Sequence, residues 1–80
     1  MIEAKDAAYS AAKYFVDITG YTEKVTIEEV EFDDNTNCWL ITVGYLAESE
    51  IIPLVKRQKE YKIFKIDANN GDVLSMKLRG

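Results

Sequence analysis

Residues 61–79, YKIFKIDANNGDVLSMKLR, constrain the fold more than any other stretch, because two runs of alternating apolar and polar residues flank an Asn70-Gly71 pair able to take positive φ. Such a pattern closes as a β-hairpin. Alternation at period two sends Phe64 and Ile66 with Leu74, Met76 and Leu78 to a buried face. The opposite face then receives Tyr61, Ile63 and Lys65 with Val73, Ser75, Lys77 and Arg79, joined by Leu40 and Thr42 from an earlier strand.

Upstream, Ala4, Ala8, Ala11, Phe15 and Ile18 advance by four, three, four and three, which is the apolar stripe of an amphipathic helix over residues 2–19. Its small alanines allow close approach to a sheet. Glu3 and Asp6 complement the positive end of the helix, and Gly20 suits the left-handed residue just past its last turn. Residues 25–32 read as a strand whose phase shifts between Val25/Ile27 and Val30/Phe32, so a bulge is expected near Glu28 and Glu29. A polar turn at 33–37 precedes a core strand at 38–46 with Trp39, Ile41, Val43 and Tyr45 on one face, Trp39 largely buried. Residues 47–58, which contain Pro53, read as a long connection whose Ile51, Ile52, Leu54 and Val55 either fold over the sheet or form an apolar docking tip. The expected fold is α+β, one N-terminal helix packed on a four-stranded antiparallel sheet in the order α-β-β-β-β, with residues 1–80 as a single domain.

Composition narrows function by exclusion. The formal charge is −4, against a general nucleic-acid binder, which needs a cationic footprint. Residues 1–55 nevertheless hold 11 acidic and 3 basic side chains, whereas residues 56–80 hold 7 basic and 3 acidic, so the molecule is expected to be electrostatically two-sided. Histidine is absent, which removes the commonest general base near neutral pH and the commonest metal ligand. Cys38 has no partner for a disulfide and no cation beside it in sequence, which makes it a small strand residue rather than a nucleophile. With no signal peptide or membrane span readable, the expected compartment is the cytoplasm.

Two acidic segments invite metal readings. In residues 67–72 the glycine arrives at the fifth place rather than the sixth that an EF-hand loop requires, and the twelfth place is Leu78 where a bidentate Glu is needed. A plain turn is expected there. Glu28, Glu29, Glu31, Asp33 and Asp34 alternate faces along a strand and read as a solvated edge blunted by charge. No cofactor or metal is expected.

The layout of helix, Trp-centred strand and closing hairpin, with Ile66-Asp67-Ala68 followed by Gly71-Asp72-Val73-Leu74, resembles the PepSY and PepSY-like family, whose repeats commonly end in V-D-A-x-T-G-x-V-L. Asn70 stands where that pattern usually has Thr. The resemblance implies a non-enzymatic module that binds another protein and inhibits it. The open sheet face supplies the candidate docking residues Tyr61, Ile63, Lys65, Lys77 and Arg79, and the connection supplies Ile51, Ile52 and Leu54. The partner is another protein or a second copy of the chain. Two other classes compete: an acidic immunity or antitoxin-type protein that neutralises a basic partner, and a small-ligand-binding domain with a cavity lined by Tyr14, Tyr45 or Asp17.

Overall fold

The computed structural model describes residues 1–47 and 58–79. Helix α1 (Ala4–Thr19) is followed by strands β1 (Thr26–Asp33), β2 (Cys38–Ala47), β3 (Gln58–Asp67) and β4 (Val73–Leu78). The strands form one antiparallel sheet in the order β1-β2-β3-β4, with α1 on one face. This is the α-β-β-β-β architecture the periodicities dictate. Ile51, Ile52, Leu54 and Val55 lie outside the described residues.

Asp6 accepts a hydrogen bond from the Glu3 N–H at the start of α1, and Gly20, at φ 71°, ends the helix by donating its N–H to the Val16 carbonyl. The buried stripe is Ala7, Ala11 and Phe15, with Ala8 and Tyr14 at its margins. Ile18 is exposed, contrary to the stripe read from sequence. Tyr21 folds back after Gly20 against Phe15 and Tyr45, with ring centroids 5.6 and 5.9 Å away, and takes that core position instead. Its hydroxyl accepts the Leu46 N–H at 3.0 Å.

Opposite the helix, Ile41, Val43, Phe64 and Ile66 complete the buried core. Trp39 faces the helix side as its parity requires, but it is only half-buried. It sits toward the margin of the helix's cover, stacked edge-on against Phe32, and its indole N–H donates to the Ile2 carbonyl at 3.2 Å. Ile2 in turn donates to the Ala68 carbonyl at 2.7 Å, so the chain's first residues are latched to the end of β3.

The bulge expected in β1 occurs between Ile27 and Glu29. A second irregularity, between Lys65 and Ile66, changes the phase of β4: Val73 packs on the core and Leu74 is exposed, reversing their assignment from simple alternation. Leu78 keeps its expected side but is exposed, on an edge the helix does not cover. The turn joining β3 and β4 uses positive φ only at Gly71 (82°). Asp67 and Asn70 side chains accept the N–H groups of Asn69 and Asp72, so the hairpin closes through Asx turns rather than a two-residue Asn-Gly turn.

Candidate functional site

The sheet registers lay the open face out in rows. Glu31, Leu40, Lys65 and Ser75 form one; Glu29, Thr42, Ile63 and Lys77 the next. In a third, Thr26 and Gly44 align with Tyr61, whose carbonyl accepts the Arg79 N–H. Acidic groups therefore line the β1 margin and cations the β3–β4 margin, with Leu40, Thr42 and Ile63 between them. Tyr61, Ile63 and Lys65 are half-buried, while Lys77 and Arg79 are exposed. The structure brings these five candidate residues onto one face.

Among the described residues, two ion pairs cross that face. Arg79 reaches from beyond β4 to Glu29 on β1, bounding with Glu31, Leu40, Thr42 and Ile63 a shallow depression of about 130 Å³. Lys59 crosses from β3 to Glu28 at 3.0 Å and lies 5.8 Å from the centre of the Tyr61 ring. Gly44 makes the second crossing possible, since a Cβ there would stand 2.8 Å from Thr26 Oγ1, 3.0 Å from Lys59 Cε and 3.1 Å from a Glu28 oxygen. Neither crossing was legible in the sequence. Each joins residues far apart in the chain, at a distance set by sheet twist and by which position lacks a side chain.

The Glu28 carboxylate accepts hydrogen bonds from the Thr26 hydroxyl and then Lys59, which together hold its pKa below the usual carboxylate value of 4.5. Lys59 is raised above its usual 10.5, chiefly by the hydrogen bond to Glu28. A depressed acid stabilises the fold above its unfolded pKa and loses that contribution as pH falls through the folded value; a raised base contributes below its unfolded pKa and loses it as pH rises through the folded value. The clamp is therefore expected to be complete between about pH 4.5 and 10.5. In a carboxyl NMR titration, Thr26→Val should move Glu28 back upward further than Lys59→Met does. The reverse order would show that charge rather than the hydroxyl dominates.

Between helix and sheet, Phe15 packs on Tyr45 at 4.7 Å and Tyr14 packs edge-on against Phe64 at 6.2 Å. Tyr14 and Tyr45 flank the filled core and share no cavity among the described residues. Tyr14 and Asp17 instead line an outer groove of about 460 Å³ between α1 and the Gly71–Leu74 segment. Burial, with a contribution from the hydrogen bond to Glu60, raises the Tyr45 hydroxyl's pKa. Cys38 is buried and its Sγ donates to the Thr36 carbonyl at 3.3 Å. Among the described residues, no three His, Cys, Asp or Glu side chains are placed to hold a metal, and no helix is long and apolar enough to cross a membrane.

Of the exposed large apolar residues on the sheet that sequence reasoning missed, Leu46 lies on the open face and the others below lie on the helix side. Ile27, Val30 and Phe32 on β1 are partly uncovered, as is Leu78 on β4. A helix is roughly 10 Å wide with its side chains, whereas four strands at about 4.8 Å spacing span more, so the outer strands remain bare. Counting strands against helices was the available signal. No family model, no curated protein and no solved structure matches this chain.

Proposed function

We propose that this domain is a non-enzymatic protein-interaction module that docks a partner protein on its open sheet face. The supporting observation is the face itself: uncovered by the helix, apolar along its middle, acidic on one margin and basic on the other. Antiparallel sheets tolerate one solvated face, but solvation alone does not require the half-buried Tyr61 and Ile63 at its centre. The PepSY-like resemblance adds that docking inhibits the partner.

The acidic immunity-type reading ranks second. Its acids stand on β1, but Glu28 and Glu29 are already paired with Lys59 and Arg79 within the chain, which leaves less free negative charge for a basic partner.

The test is affinity capture followed by binding measurements on face variants. Aromatic anchors at an interface carry disproportionate energy, so Tyr61→Ala should weaken partner binding by about 1 kcal/mol or more while the fold persists. Lys5→Ala and Lys13→Ala, on the helix, should leave binding unchanged. Undiminished binding by a folded Tyr61→Ala/Ile63→Ala variant, with collapse on charge reversal at Glu29 and Glu31, would transfer the function to the acidic margin. Reproducible hydrolytic turnover lost in Cys38→Ala would overturn the non-enzyme reading.

A further inference from the structure

β1 and β4 are the two edges of the sheet, and each carries one row of side chains per face. On the open face β1 presents Glu29 and Glu31, and the β4 edge presents Lys77 and Arg79, with the same two-residue spacing and opposite charge. On the helix side β1 presents Val30 (44% exposed) and Phe32 (36%), and β4 presents Leu78 (65%) and the half-buried Met76.

We propose that the occupant of the β1 edge is the β4 edge of a second copy of this chain, so that the sheet continues head to tail. β1 and β4 run antiparallel within the meander, so a copy displaced along the sheet sets them side by side with both helices on one side. One register places Glu29 beside the partner's Arg79 and Glu31 beside the partner's Lys77 on the open face. The same register places Val30 beside the partner's Leu78 and Phe32 beside the partner's Met76 on the helix side, where the apolar rows close the gap between neighbouring helices. The backbone of β4 suits this pairing: the Arg79 N–H points inward to Tyr61, so by antiparallel alternation the Leu78 and Met76 groups point outward, unpaired. Like charges oppose β1 on β1 and β4 on β4, which selects the mixed junction. Within one chain Arg79 already pairs with Glu29, but both side chains are about half exposed, and an ion pair in that setting exchanges at little cost. This inference shares Lys77 and Arg79 with docking on the open face but does not rest on it, since Tyr61 and Ile63 lie outside the junction.

The experiment is sedimentation velocity of the whole chain across a wide concentration range at low and high salt. Average mass should climb from the monomer's 9.1 kDa past twice that value at high concentration and fall back with salt, because a heterologous junction leaves a free edge at each end. Glu29→Lys/Glu31→Lys and Lys77→Glu/Arg79→Glu should each remain monomeric, and an equimolar mixture of the two should associate again. Leu78→Pro, which removes an outward-facing donor on an edge strand, should be folded and monomeric. A wild-type chain that stays at 9.1 kDa throughout overturns the proposal, even if another protein's strand is found on β1. So does a closed dimer that persists in Leu78→Pro, or a mixture that fails to regain association.

Discussion

Phe15→Ala is expected to remove a large share of the domain's folding stability. The ring is buried against Tyr45, Tyr21 and Phe64, with centroids 4.7, 5.6 and 6.5 Å away, and so joins the helix to rings on both β2 and β3. Truncating a buried Phe to Ala costs about 3–5 kcal/mol. A chain of this length has roughly 4–12 kcal/mol of total stability. Urea denaturation followed by circular dichroism should therefore show a midpoint shifted well below that of the wild type. Tyr9→Ala, on the exposed helix surface, is the control and should shift the midpoint little. A Phe15→Ala midpoint equal to wild type would mean that α1 does not dock through this stripe.

Ala11→Leu should be the second most damaging substitution, by the opposite mechanism. Ala7 and Ala11 are both 0% exposed and mark where the helix lies nearest the sheet, so three added carbon atoms have no volume to enter. Overpacking of this kind costs typically 1–3 kcal/mol, and each kcal/mol lowers the melting temperature of a domain this small by roughly 4–8 °C. Val16→Leu, at an exposed position, should melt like wild type. If Ala11→Leu instead melted higher, room would remain between helix and sheet, and the ligand-cavity reading would regain its footing.

What could be read in advance, and what could not, divides along the range of the interactions. Helix and strands were legible because their periods are local: Ala8, Ala11 and Phe15 advance by three and four residues, although the fully buried Ala7 was not in the stripe, and Trp39, Ile41, Val43 and Tyr45 recur every two. The bulge in β1 was legible because the phase change sits in the strand's own pattern. The second irregularity escaped notice, since β4 alternates cleanly and only its register with β3 shows that Val73 has exchanged places with Leu74. Tyr21 replaced Ile18 because the backbone reverses at Gly20, and period 3.6 says nothing about residues after a helix ends. On the open face, parity placed Tyr61, Ile63, Lys65, Lys77 and Arg79 together, yet it gave no hint that Arg79 and Lys59 would bridge to β1.

The latch at Ile2 is expected to close late in folding. Each strand pairs with its immediate predecessor in the chain, so the sheet can grow by successive hairpins, each beginning from neighbours already close together. The bonds that join Ile2 to Ala68 and Trp39 instead tie the first residues to strands far along the sequence, a ring closure whose entropy is offset only once those strands are in place. Trp39, a residue of the second strand, thus reports through its indole N–H on the arrival of the amino terminus.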